Sequence, residues 1–487
     1  MPGPPVTTHS YISGAAPAVQ NGAKSLRHRH LVIWLGIALL LTPSLSAETE
    51  PTQVTDVSWE ADGLVGKVVI RLSGSFAYRT TASRSSIRID LWRAQHTQWQ
   101  SLAVDHPYVR RVYVNQITRD VARLRIDLKK PARYKTFVRT DPSQLAVQII
   151  PPWMATRRLP ASMAYEKLRV ATGAGTTAVH VLRVNPQDPK LEIRPVLASD
   201  MVIGKETTSI IATRHDAVAG INGGYFAGAG LPLGMVVIDG KLISAPLPRR
   251  SVFAISRAGK PVIQPFEFQG RVVTSDNTSL WISAVNRPPL ATGLAVYTPA
   301  YGPLTPPFRL AAIIRDGVVD GLTSGRILIP EDGYVLAVNE ADAGLLLQHV
   351  QTGQRVWMKL NFTQDLEVIS ALGGGPRLVK DGAEFIPFDW EWFSDRLFQN
   401  RAPRTAIGIT ETGKLLFVTV DGRSKQNSGM TLRELAQLMV KLGAHEAMNL
   451  DGGGSATMVV GGRIMNDPSD GQERPVTSAL IVLHRSR

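Results

Sequence analysis

The chain has 487 residues, 44% hydrophobic and 19% charged, too long for one compact core and too apolar for a disordered polymer, so two or three globular domains are expected. It has no cysteine, which excludes a thiol nucleophile, a cysteine-ligated zinc site and any disulfide. A net charge of +14 favours an anionic partner, and for an exported protein that means phosphorylated envelope polymers rather than nucleic acid.

Residues 24–47, KSLRHRHLVIWLGIALLLTPSLSA, set Lys24, Arg27 and Arg29 before an apolar run from Leu31 to Leu41 and close on small residues at Ala47. This is the grammar of a secretory signal peptide. The apolar run is well short of the roughly 20 residues that span a bilayer, and Pro43 follows it, so no transmembrane anchor is expected after cleavage. Residues 1–47 are therefore assigned to a signal peptide, and the protein to the periplasm or the cell envelope.

From 52 to 150 the sequence alternates with a period of two. In VARLRIDL, Ala122, Leu124, Ile126 and Leu128 share one face, and Arg123, Arg125 and Asp127 share the other. GKVVIRL and SIRIDLW repeat the device, and no helical pattern intervenes, so an all-β sandwich is expected. The succession VTDVSW, VVIRLSG, SIRIDLW, VRRVYVNQ, VARLRIDLKKPARYKT and LAVQII resembles the AMIN domain, which implies cell-wall binding by this region. Residues 151–164, opening PPWMATRRLP, read as a linker.

Residues 165–487 mix apolar strands ending in glycine-rich turns with helical stretches. TLRELAQLMVKLG is the clearest helix: Thr431 and Glu434 have capping-box spacing, leucines, Ala436 and Met439 form one apolar face, and Gly443 supplies a stop. A second, shorter helix is predicted near Thr208–Arg214. Strands with helices suggest an α+β or α/β domain, and the expectation for the whole chain is multidomain: a β-sandwich followed by a mixed α+β domain.

Local chemistry concentrates at a few strand ends. AGINGGYF places Asn222, Gly223 and Gly224, ALGGGPRLVKDG places Gly374 and Gly375, PRTAIGI places Arg404 and Thr405, and VTVDGR places Asp421 and Arg423. NLDGGGSATMVV sets Asp451 before Gly452, Gly453, Gly454 and Ser455. A hairpin needs about two special residues, so three successive glycines suit a backbone that a ligand approaches closely. The Gly-Lys-Ser/Thr ending of a nucleotide P-loop is missing, which argues against an NTPase.

These motifs in this order, together with GMTLRELAQLMVKLGAHEAMNLDGGGSATMVV and RPVTSALIV, resemble the phosphodiester glycosidase family across essentially the whole second domain. The resemblance implies hydrolysis of the bond between an anomeric carbon and a phosphodiester oxygen, with a phosphoglycan or polysaccharide as substrate. On that reading Asp451 and Asp421 are the catalytic carboxylates, one facing the anomeric carbon as nucleophile or as base toward water, the other assisting or orienting the sugar. Arg404 is the first choice for holding the phosphate and Arg423 the second, because a guanidinium offers a planar fork of donors. Asn222, Gly223, Gly224, Gly374, Gly375, Thr405 and residues 452–455 complete the expected substrate site.

No HExxH pattern is present, and neither metal nor cofactor is assigned, although an aspartate pair holds a divalent cation without a sequence signature. Residues 386–404 depart from the family pattern, and Trp390, Trp392 and Phe393 there form either a sugar-stacking lid or a packed loop. Two other functions stay open: a phosphodiesterase cutting the P–O bond, and a non-catalytic protein that binds cell-wall glycan.

Overall fold

The computed structural model describes residues 51–485 apart from 84, 98–99, 152–157, 229, 290–291, 340–341 and 365. The signal segment and the centre of the linker lie outside the described residues. From Pro51 onward the chain belongs to one compact unit.

Residues 52–150 fold as two five-stranded sheets over a shared core. One runs in the order Ala94–Gln95, Thr52–Asp62, Val65–Leu72, Ser143–Ile150, Arg133–Thr140; the other runs Ala77–Ala82, Ser86–Trp92, Val121–Leu128, Val109–Thr118, Gln100–Leu102. Alternation puts Val68, Ile70, Leu145 and Val147 of the first sheet against Ile89, Leu91, Leu124 and Ile126 of the second. The outward residues pair across strands, as Arg123 does with Asp90 at 2.5 Å. Burying an aliphatic side chain of this kind contributes about 1.5–3 kcal/mol, so the repeated pattern suffices to hold the sheets together without a disulfide.

This sandwich is joined to the rest of the chain through a buried polar contact. The Tyr134 hydroxyl donates to Glu206, which is fully buried, accepts the Ser199 N–H at 2.8 Å and pairs with Arg214 at 3.1 Å. Arg133 donates to the carbonyl of Gly462, and Ile210 packs against the sandwich core.

Beyond Met163 strands dominate, which corrects the expectation of a mixed α+β domain. Strands make up 53% of the structure and helices 9%, and among the described residues the four α-helices run only five to ten residues. Leu432–Lys441 is the longest; Thr431 caps it with Glu434 closing the box, and its apolar face is buried. The other apolar runs are short and buried on both faces. In Leu415–Val420 all six residues are buried, and in Arg404–Thr410 six of seven. Such a run has no polar face to mark its period, so helix and strand look alike in the sequence.

The sheet that carries the site is antiparallel, in the order Met163–Thr172, Gly175–Val184, Leu415–Val420, Arg404–Thr410, Ala444–Asn449, Arg377–Lys380, Ala383–Glu384. Facing it through a common core is a second sheet containing Leu191–Leu197, Ser478–His484, Ala219–Asn222, Met458–Val460 and Arg463–Ile464. Arg404 lies opposite Val420 and Ala406 opposite Asn449, so three neighbouring strands reach the same edge at Asp421, Arg404 and Asn449.

Candidate active site

At that edge lies a cavity of about 390 Å³. Tyr225, Asn449, Asp451 and the backbone of Gly452 and Gly453 line it on one side, and Ser394, Leu397 and Asn400 on another. Four arginines line it as well, Arg396, Arg404, Arg423 and Arg474, against a single carboxylate. That excess of fixed positive charge suits an anionic occupant.

Asp451 follows the strand Ala444–Asn449 and fully buried Leu450, whose N–H donates to the Thr405 carbonyl at 2.8 Å. Its carboxylate accepts the Gly452 N–H at 3.0 Å. Burial raises the carboxyl above its ordinary value, against the lowering pull of that N–H and of the Arg474 guanidinium. An acid held in this way is suited to taking up a proton.

The glycines after Asp451 make room for cations. A Cβ at Gly453, whose φ is +61°, would lie 3.1 Å from the Arg423 guanidinium, and one at Gly454 would lie 2.3 Å from that of Arg474. The Gly453 N–H is itself taken by the Pro403 carbonyl at 2.8 Å. The bare backbone therefore serves first to let two arginine heads approach the loop, and Arg474 is kept in place by Asp470 at 2.8 Å.

Arg404 opens its strand and is only 2% exposed. Its Nε donates to the Met430 carbonyl at 2.9 Å, and its Nη2 donates to the carbonyls of Leu397, at 3.1 Å, and Asn400. No carboxylate lies within 4.0 Å of it among the described residues. Burial pushes its pKa down to about 10, with Tyr225 opposing and Arg423 adding to the fall, so it stays charged at neutral pH.

The remaining predicted residues stand behind the cavity. Asn222 is fully buried; its amide donates to the Asp451 carbonyl at 2.7 Å, and its oxygen accepts the Thr405 hydroxyl and the Thr457 N–H. Gly223 and Gly224 press against Ser478 and Gly373. The N–H groups of Gly374 and Gly375 go to the carbonyls of Ser251 and Asn449. Ser455 is fully buried.

Asp421 does not line the cavity. It is 3% exposed, accepts the Asp467 N–H at 3.0 Å and sits 3.3 Å from Nε2 of His180, whose Nδ1 is 2.8 Å from the Tyr165 hydroxyl. It thereby anchors the segment that leads on to Asp470 and Arg474.

Tyr225 and Asn449 line the cavity beside Asp451, and neither was among the expected site residues. Tyr225 donates to the Gly375 carbonyl at 2.9 Å and accepts from Asn449 at 2.6 Å. Asn449 is 1% exposed, its amide nitrogen is committed to Tyr225 and two carbonyls, and its side-chain oxygen has no partner. A buried acceptor of this kind is costly unless something donates to it.

Residues 308–483 match the phosphodiester glycosidase family, an enzyme family. The likeness to a phosphodiester glycosidase domain is that of residues 308–483. Over 80 residues it is 44% identical to the SPbeta prophage-derived uncharacterized protein YomE of Bacillus subtilis (strain 168), covering 16% of this chain and 12% of that one. Over 67 residues it is 45% identical to the N-acetylglucosamine-1-phosphodiester alpha-N-acetylglucosaminidase of Bos taurus, covering 14% and 12%. The chain thus spans about an eighth of the length of these relatives. A hypothetical protein from Synechocystis shares the fold, with a TM-score of 0.61 at 22% identity over 90% of this chain and 81% of that one.

Within the matched residues 308–483 lie all four cavity arginines, Asn449 and Asp451, whereas Asn222 and Tyr225 come from outside them. Arg474 falls in the quoted motif RPVTSALIV, so its place was marked in the sequence although its role was not. For a metal, the described residues offer one group of three ligand-type side chains within 4.8 Å, Asp381, His445 and Glu446. Glu446 is already paired with Arg377, and none of the three lines the cavity.

Proposed function

We propose that this protein hydrolyses the glycosyl–phosphate bond of a sugar-1-phosphodiester. One observation carries the reading: the cavity holds a single carboxylate, Asp451, among four arginines. Ordinary glycoside hydrolysis needs a second carboxyl to protonate a poor leaving group. A phosphomonoester, with its second pKa near 6, leaves without that help, and what it needs is compensation of its charge.

The phosphate lies against Arg404 and Arg423, neither of which is neutralised by a carboxylate among the described residues. Asp451 takes a proton from a water that attacks the anomeric carbon. The carbon–oxygen bond to the phosphate breaks, its electron pair stays on the phosphate oxygen, and a free sugar and a phosphomonoester are released. The unpartnered oxygen of Asn449 accepts a hydroxyl of the sugar. One displacement at carbon makes the reaction inverting.

The expected signal peptide and the charge of +14 support export and work on an envelope or extracellular glycan. The N-terminal sandwich, through its resemblance to the AMIN domain, supports wall attachment. The test is release of reducing sugar from a synthetic sugar-1-phosphodiester by the purified protein. Asp451→Asn should lower kcat by about 10²–10⁴, the usual contribution of a general base. Full activity in that variant rejects the assignment. Cell fractionation tests the location.

A further inference from the structure

Next to the cavity two tryptophans stand in solvent. Trp390 and Trp392 are 48% and 58% exposed, and neither lines the cavity. Their loop is nonetheless anchored. Glu391 between them is 1% exposed and accepts the Ser251 N–H at 2.9 Å, the Ser251 hydroxyl at 3.0 Å and the Arg377 N–H at 2.8 Å. The buried carboxylate holds the backbone while its two neighbours point outward.

Cations accompany the rings. The Arg249 guanidinium lies 5.9 Å from the ring centre of Trp390 and 5.1 Å from that of Trp392, and Arg250 lies 3.5 Å over Phe393 while donating to the Trp392 carbonyl at 3.1 Å. Neither guanidinium pairs with a carboxylate among the described residues. The strip is continuous with the cavity, because Phe393 packs against Tyr225 at 5.6 Å and Ser394 lines the cavity wall.

We propose that Trp390, Trp392, Arg249 and Arg250 form a second subsite for the polymer that continues beyond the scissile linkage, so that the substrate is a phosphate-bearing polysaccharide rather than a small sugar phosphodiester. This rests on the hydrolytic reading above. Exposed indoles bind the apolar face of a sugar ring, and the guanidinium groups beside them, Arg249 near both indoles and Arg250 over Phe393, add attraction for phosphates along a chain. The cavity arginines extend the same charge, which a neutral glycan would leave unanswered.

The test is affinity electrophoresis of the full chain carrying Asp451→Asn, in gels containing a purified polysaccharide joined through sugar-1-phosphodiester links or a neutral dextran. The phosphopolymer should retard the protein and the dextran should not. Adding Trp390→Ala with Trp392→Ala should weaken retention about tenfold, and Arg249→Gln alone should weaken it severalfold, at an unchanged melting temperature. Retention that ignores these changes, equal retention by dextran, or no retention at all overturns the proposal. Tryptophan-dependent retention without sugar release by the native protein from any diester leaves the subsite standing and removes the hydrolytic reading. Sugar release with tryptophan-independent retention does the reverse.

Discussion

The side-chain amide of Asn222 donates to the main-chain carbonyl of Asp451 at 2.7 Å, across 229 positions of sequence. The same side chain accepts from the Thr405 hydroxyl and the Thr457 N–H, so one buried amide pins three strand ends. Asn222→Ala leaves a buried carbonyl and a buried N–H without partners. It should cost about 2–4 kcal/mol in urea unfolding and lower kcat as well, because the main-chain carbonyl it releases is that of Asp451, whose side chain is the proposed base. A loss of stability with kcat unchanged would separate the pin from the chemistry.

Activity should depend on pH through Asp451. Burial raises its carboxyl, and the ionised form is the base, so kcat/KM should rise with pH through a value above the ordinary carboxylate range. The linked stability has the opposite sign: it is present in full below the unfolded pKa and is lost as pH rises through the raised folded value. Arg474 holds the carboxyl down, so Arg474→Gln should move the acid limb of the pH–rate profile to higher pH. A limb that stays in place contradicts this electrostatic account.

Arg404 should not tolerate lysine. An ammonium cannot reproduce the donations to Met430, Leu397 and Asn400 while offering a further nitrogen to phosphate. Arg404→Lys should lower kcat/KM on a small sugar-1-phosphodiester about 10²-fold. A fall of less than tenfold would mean that charge alone is enough there.

The sandwich and the region beyond it should unfold together. Glu206→Ala takes from Arg214 one of its two carboxylate partners, Asp200 being the other, and removes the acceptor of the Tyr134 hydroxyl and of the Ser199 N–H. The expected cost, from buried donors left without their acceptor, is about 2–4 kcal/mol, read by calorimetry as one transition moved to lower temperature. Two separate transitions in the unsubstituted protein would contradict a shared joint.

The sandwich strands and the capped helix at Leu432–Lys441 were legible because each has one wet face that prints a period into the sequence. The strands Leu415–Val420 and Arg404–Thr410 were not, since burial on both faces erases that mark, and the domain was read as too helical. At the site, Asp451, Arg404 and Arg423 stood out through unusual local composition. Asn449, with the unpartnered oxygen, ends an ordinary-looking strand, and Tyr225 follows a glycine pair that drew the reading to itself. His180, beside Asp421, is a lone histidine inside a buried strand. The separate positions of the two carboxylates, Asp451 on the cavity and Asp421 behind it, depend on tertiary packing that neither motif encodes.

The most direct measurement is hydrolysis of a sugar-1-phosphodiester in ¹⁸O-labelled water, with both products analysed by mass. Attack at the anomeric carbon beside Asp451 puts the label in the sugar and none in the phosphomonoester. Label in the phosphate would mean that the arginines serve a phosphorus–oxygen cleavage, and the account given for this cavity would be wrong.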